Sequence, residues 1–334
     1  MRVVVPSAGF GTRLRPHTYS KPKPLVSVAG RPVLDHVMDS LGDLKVEQYV
    51  FIVGYLGDQI EAHLREHYDV PLTFVEQKEL LGQAHALALA KEHIHGPVLI
   101  LFIDTLCDAD LAMLEHSDDD GVLFVKRVED PRRFGVVEVG DDGYVTRLIE
   151  KPDTMENDLA VIGAYYVRDG EWLMRSVDAL LARKQMTKGE YYLADAMQIM
   201  IDEGARFRPA PVTMWEDCGK PETLLQTNRY LLEHGHSTEG QGEIVASAIV
   251  PPVYIAPTAH IEHSVVGPHV SVGEGCVIRN AIVRDSILDR GATVRDMALD
   301  GSILGREASV RGNPSQLNIG DASEIVLDGN NREG

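Results

Sequence analysis

The 334-residue sequence predicts two folds in series, an α/β domain built on a mixed sheet and, after it, a short hexapeptide-repeat left-handed β-helix. Three observations predict them. Valine- and isoleucine-rich runs alternate with helix-period segments through the first part of the chain, the pattern of strands covered on both faces. From Gly121 the period falls to two, and Asp141-Asp142-Gly143 joins two such runs as a hairpin. From Ile249 onward, apolar residues return every five or six positions, and three steps span sixteen or seventeen. One short strand per step makes a triangular coil in which each apolar residue stacks on its equivalent one coil away.

The elements follow in order. Residues 2–5 form a buried strand that runs into Ser7-Ala8-Gly9-Phe10-Gly11-Thr12-Arg13-Leu14-Arg15-Pro16, where two glycines let backbone N–H groups approach a ligand. Residues 25–28 are extended, and Gly30-Arg31-Pro32 turns into a helix starting near Pro32. Residues 49–53, 72–75 and 98–103 are the next strands, with helices at 58–67 and 83–93 between them. Ligands of such sheets bind beyond the carboxyl ends of the strands, where the glycine loop and Asp104 both fall. Asp108 has the setting of a helix N-cap. Strands at 122–126, 134–139, 144–149 and 160–167 form the mixed region, followed by helices at 171–183, after Tyr192 and at 221–233.

Charge narrows the function. The chain carries 51 acidic against 32 basic residues, a net −19, which argues against nucleic acid and anionic membrane as partners. Yet Arg2, Arg13, Arg15, Lys21, Lys23 and Arg31 all precede the first acid, Asp35. A basic pocket in an acidic protein points to a small anion such as a nucleotide or sugar phosphate. The three cysteines fit no metal or disulfide framework, and neither a leader pattern nor an apolar run of membrane length is visible, so a cytoplasmic location is expected.

The apolar signal stops around residues 234–242. The expected units are therefore 1–236, 243–312 and a tail, 313–334, that folds back as a cap before a disordered end. Hexapeptide solenoids are often acyltransferases. With only three or four coils, and His260, His263 and His269 gathered at the start, packing or homo-oligomerisation is the expected role here.

With both units in view, the chain resembles the sugar-phosphate nucleotidyltransferases. The loop from Ser7 to Pro16, Lys21-Pro22-Lys23-Pro24-Leu25 and Gly30-Arg31-Pro32 carry the likeness, with Leu81-Gly82-Gln83, Phe134-Gly135-Val136, Glu150-Lys151-Pro152, Gly189-Glu190-Tyr191 and Trp215-Glu216-Asp217-Cys218-Gly219. It covers nearly the whole chain and is most like the long, thymidylyl-transferring branch acting on glucose-1-phosphate. The resemblance implies a Rossmann-like nucleotidyltransferase domain that joins a nucleoside triphosphate (dTTP or UTP) to a sugar-1-phosphate and releases pyrophosphate. It implies that Arg13 and Lys23 are catalytic, that Ala8, Gly9, Gly11, Thr12, Gln77 and Gly82 bind the nucleotide, and that Gly135, Glu150, Lys151 and Glu190 bind the sugar phosphate. It also implies that Asp104 and Asp217 hold Mg²⁺.

Two positions depart from the family's pattern. Ile103 stands where glycine is usual before the metal-binding acid, a side chain expected to crowd the nucleotide or shift the carboxylate, and Gly219-Lys220 replaces glycine-threonine. Without the resemblance, Gln77 reads as an exposed strand-end residue, and Trp215, His85 and Trp172 as core or helix-face residues. A dinucleotide-dependent oxidoreductase is disfavoured because the loop lacks a third glycine. A non-catalytic regulatory paralogue is disfavoured because Arg13, Lys23, Asp104, Lys151 and Asp217 are all retained.

Overall fold

The computed structural model describes residues 1–42, 44–184, 186–238 and 241–312; the expected cap and tail at 313–334 lie outside them. The chain begins with β1 (Arg2–Pro6), then β2 (Ser27–Val28), β3 (Arg31–Pro32) and α1 (Val33–Ser40). β4 (Gln48–Val53), α2 (Gly57–His67), β5 (Leu72–Glu76), α3 (Gln83–Leu89) and β6 (Val98–Leu101) continue the alternation. β7 (Thr105–Asp108), β8 (Gly121–Arg127), β9 (Gly135–Val139), β10 (Val145–Glu150) and β11 (Leu159–Val167) follow. The unit ends with α4 (Gly170–Ala182), α5 (Leu193–Asp202), β12 (Phe207–Pro211), β13 (Met214–Asp217) and α6 (Pro221–Leu231).

The sheet has nine strands in the order β10-β9-β11-β6-β1-β4-β5, with β8 and β12 branching from β11. β6, β1, β4 and β5 are parallel, while β11 runs antiparallel to β6 and β8. Side chains of β1 alternate between two cores: Val3 and Val5 join one with Leu34, Phe51 and Leu224, and Val4 joins the other with Ile100, Leu87 and Leu173. This is why the first strands read as unbroken apolar runs.

Several boundaries differ from the sequence reading, each for a local reason. Of residues 25–28 only Ser27 and Val28 form a strand; Lys23–Leu25 is a 3₁₀ turn, because Pro22 and Pro24 cannot donate to a ladder. The helix from Gln83 breaks at Ala90, and Lys91–His93 is a 3₁₀ turn. Asp108 is no helix cap: it ends β7, and its Oδ2 accepts the Thr213 hydroxyl at 3.0 Å. β12, with the sequence FRPAP, is an edge strand, where its two prolines are tolerated.

The second unit is a parallel, hexapeptide-repeat left-handed β-helix of three faces holding five, four and four strands. Glu243 pairs with His260, His260 with Val277, Val277 with Thr293 and Thr293 with Ser309, so coil steps are 17, 17, 16 and 16 residues. Ile255, Ile261, Val266, Val272, Ile278, Val283 and Val294 fill its interior at 0% exposure. The unit is also sewn to the first. Asn228 of α6, fully buried, accepts from Ala29 N at 2.8 Å and Ser271 Oγ at 2.6 Å and donates to His269 O at 3.2 Å.

Candidate active site

The first strand delivers its loop to the carboxyl edge of the sheet. Gly11 has φ +60°, and a Cβ there would stand 3.1 Å from Lys23 Cβ and from Thr18 Cγ2. Glycine is what lets this turn close over Lys23. Around Gly9, by contrast, nothing lies within 4 Å of a Cβ position, so that face of the loop is left open. Lys23 Nζ donates to Asp104 Oδ2 at 2.6 Å.

Two short strands assemble the acidic pair. β7 and β13 pair antiparallel with Thr105 opposite Asp217, and Cys218 N donates to Asp104 O at 3.1 Å. Asp104 and Asp217 thus become neighbours across more than a hundred residues of sequence. Burial pushes the Asp104 carboxyl up, but the Lys23 ammonium and then Arg13 outweigh it and hold it below the usual carboxylate range. Burial pushes Asp217 up too, and the Asp104 charge adds to it, so that carboxyl sits above the usual range. Two neighbouring carboxyls shifted in opposite directions are a pattern found at catalytic sites, and they make this pair the candidate centre.

Two cavities, of about 480 and 410 Å³, open on this cluster. The first is lined by Ala8, Gly9, Gly11, Thr12, Gln77 and Gly82; the second by Gly135, Glu150, Lys151, Trp215 and Asp217. Arg13, Gln83, Phe102 and Asp104 line both. Lys23 borders the first. Glu190 also lines the first cavity rather than the second, and is exposed.

The second cavity exists because the sheet parts. One edge of β11 is shared: Ala164 to Val167 pair with β6, and Ala160 pairs with Val136 of β9. Between them Gly163 adopts φ +86°, with Thr105 Oγ1 only 2.8 Å from where its Cβ would be. An isolated glycine in the apolar run Ala160-Val161-Ile162-Gly163-Ala164 was the available sequence signal for this bulge. Gly135 faces Glu150 across β9 and β10, and a Cβ there would stand 3.0 Å from Glu150 Oε2. Glu150 is nearly buried, and that burial raises its carboxyl to about 7 despite Lys151 beside it; Asp195 and Glu190 add to the rise. Lys151 holds φ +47°, and its Nζ donates to the Tyr192 hydroxyl at 2.6 Å. The sequence reading missed Tyr192, Gln83 and Gly163 as parts of the site.

Gln77 is buried at 6% exposure, not an exposed strand end. Its Nε2 lies 3.3 Å from Gly82 O and from His85 Nδ1. Gly82, at φ +106°, permits the crossing of the Tyr191 backbone, whose O would be 2.5 Å from a Cβ. Trp215 packs against the first core, as expected, and also meets Phe134 edge-on at 5.0 Å and lines the second cavity. Ile103 is 6% exposed and packs into the first core, although it also borders the first cavity.

An open α/β sheet whose strand ends carry a glycine loop, two cations and two carboxylates is a phosphate-handling enzyme of the nucleotide-binding class. The chain belongs to the nucleotidyl transferase family, whose model matches residues 2–234. Residues 231–302 match the GlmU-like C-terminal hexapeptide family. A low-salt glycan biosynthesis nucleotidyltransferase of Haloferax volcanii is 31% identical over 98% of this chain and 96% of its own. A glucose-1-phosphate thymidylyltransferase of Streptomyces griseus is 28% identical over 99% of both chains. A UTP–glucose-1-phosphate uridylyltransferase of Haloferax volcanii is 33% identical over 70% of this chain and 97% of its own. Among solved structures, a UDP-glucose pyrophosphorylase bound to UDP-glucose superposes with TM-score 0.60 at 19% identity, over 70% of this chain and 98% of its own. No helix among the described residues is long and apolar enough to cross a membrane.

Proposed function

We propose that the protein transfers a nucleotidyl group from a nucleoside triphosphate, dTTP in the first instance, to a sugar-1-phosphate, with glucose-1-phosphate the leading acceptor. One observation carries this reading: two cavities of substrate size meet at Arg13 and Asp104. A triphosphate in the first and a sugar phosphate in the second would bring the acceptor oxygen to the α-phosphorus. That oxygen forms the new bond to phosphorus, the bond from the α-phosphorus to the bridging oxygen breaks, and pyrophosphate carries away the electron pair. Such a displacement asks the protein for alignment and charge neutralisation more than for covalent help.

The residues divide the work. The turn at Gly9, Gly11 and Thr12 offers a cradle for the triphosphate, Arg13 and Lys23 balance the charge gathering on the departing pyrophosphate, and Lys151 holds the acceptor phosphate. Glu150, Gly135 and, from the other rim, Glu190 suit the sugar hydroxyls. Asp104 and Asp217 supply hard oxygen ligands, and a fully ionised triphosphate brings more negative charge than Arg13 and Lys23 can neutralise beside two carboxylates. This donor set fits Mg²⁺, which when bound would screen the phosphates. Gln77, its amide donors held by Gly82 O and His85, leaves an acceptor suited to the N3–H shared by thymine and uracil. For that reason UTP is the second reading.

The test is a matrix of five nucleoside triphosphates against glucose-, mannose-, galactose- and N-acetylglucosamine-1-phosphate, followed by pyrophosphate release. Highest kcat/KM with dTTP and glucose-1-phosphate is expected. Preference for UTP moves the assignment to the second reading. Binding without pyrophosphate release in any pair would overturn the catalytic assignment.

A further inference from the structure

The β-helix reaches back to the loop that carries Lys23. Lys21 Nζ donates to Asp289 Oδ2, across 268 residues of sequence, and both side chains are mostly buried at 14% and 18% exposure. Asp289 is itself held: its Oδ1 accepts from Arg290 N at 2.8 Å, and its carbonyl accepts from Cys276 Sγ at 3.0 Å. The anchor is therefore fixed within its own coil.

The intervening segment is stiff. Lys21 and Lys23 each precede a proline, which confines them to extended or turn conformations, and Pro22 and Pro24 are both buried. Lys21 points to the β-helix and Lys23 to Asp104, so one short rod carries both contacts. His17, Glu274, Arg290 and Arg306 line the clefts on either side of the pair. Without Asp289, Lys21 would be a buried cation with cations nearby, and it would move toward water. The rod would move with it.

We propose that Asp289 is a positioning residue of the β-helix that sets, through Lys21, where Lys23 stands in the active site. The proposal rests on the nucleotidyl-transfer reading, in which Lys23 acts at the reacting phosphates. It differs from simple adhesion between the units, which other contacts already supply: Asn228 with Ser271, and Arg229 Nη2 with Asp285 Oδ2 at 2.5 Å.

Asp289→Asn should lower kcat roughly tenfold through misplacement of Lys23, with a smaller change in KM for the triphosphate. The charge-swapped double variant Lys21→Asp/Asp289→Lys should recover most of it. Arg229→Gln, which breaks an ion pair between the units away from this loop, should lower Tm and leave kcat unchanged. A second readout needs no turnover: trinitrobenzenesulfonate labelling of Lys23, followed by mass spectrometry, should quicken in Asp289→Asn and not in Arg229→Gln. An Asp289→Asn enzyme with wild-type kcat and wild-type Lys23 labelling, or an equal kcat loss in Arg229→Gln, would overturn the proposal. A wild-type protein that releases no pyrophosphate with any substrate pair would instead defeat the catalytic reading, and the labelling comparison would still decide the role of Asp289.

Discussion

The two cavities are built from different material. The first is walled largely by the turn after β1 and by glycines, with Gln77 turned inward to its own backbone neighbours. The second is walled by ionisable side chains on strand ends, Glu150, Lys151 and Asp217 among them, and owes its space to a bulge. A triphosphate presents the same oxygens whatever the base, and a glycine turn with a few cations is matched to it. A sugar presents a pattern of hydroxyls, and reading a pattern needs side chains of defined charge. The difference also separates the ways each half can fail.

The largest effect should come where the halves meet. Asp104→Asn removes the partner of Lys23 and a carboxylate bordering both cavities. Steady-state pyrophosphate release should fall on the order of a hundredfold to a thousandfold, the loss of one preorganised electrostatic contact. Near-wild-type turnover would mean the cavities do not share a reaction centre.

A pH series separates the halves next, since Glu150 belongs to the second alone. Its carboxyl is raised to about 7 in the folded protein, from an ordinary value near 4.5, chiefly by burial. The folded state therefore holds a proton that the unfolded chain releases. That stabilisation is full below about pH 4.5 and is lost as pH rises through 7, amounting to up to about 3 kcal/mol. Urea denaturation from pH 5 to 8 should show Glu150→Gln without this part of the slope; equal slopes in both proteins would remove the burial argument.

The glycine wall should be more sensitive to shape than to charge. Gly11→Ala forces a Cβ into φ +60° and to 3.1 Å from Lys23 Cβ, so the KM for the triphosphate should rise roughly tenfold, with about 1 kcal/mol of stability lost. The smallest effect expected is that of Lys151→Met. It should raise KM for the sugar phosphate by roughly fivefold to tenfold, the contribution of one charge-assisted contact, and leave the KM of the triphosphate within twofold. A reversed pattern in these two variants would exchange the cavities' roles.

Much of this was legible in sequence because it is local. The loop from Ser7 to Arg13, the alternating first strands and the five- or six-residue steps of the coil are each written within a few dozen residues. The junction was not. β7 reads TLCD and β13 reads MWED, four residues each with no alternation, and their pairing joins parts of the chain far apart in sequence. Only the family likeness suggested that Asp104 and Asp217 are neighbours, and the burial of Gln77 depends on Gly82 and His85, whose placement over a strand end no local pattern announces. The β-helix was expected to serve packing or homo-oligomerisation; the contact of Asp289 with Lys21, two residues from Lys23, lies between parts of the chain too distant for any local pattern to announce it.

The clasp between the units bears on how such chains are dissected and recombined. Ile287 of the β-helix is part of the first domain's core, with Tyr254 and Ile303 packed beside it, and the Tyr254 ring lies against Gly30 at 2.2 Å from a Cβ position. A cut after residue 236 would strip apolar cover from the catalytic unit and leave the Ala29 N–H with a partner that has lost its own. The 33%-identical uridylyltransferase aligns with 70% of this chain over 97% of its own length. Grafting this β-helix onto such a shorter chain would therefore require transplanting the seam, Gly30 and Asn228 included, along with the coil.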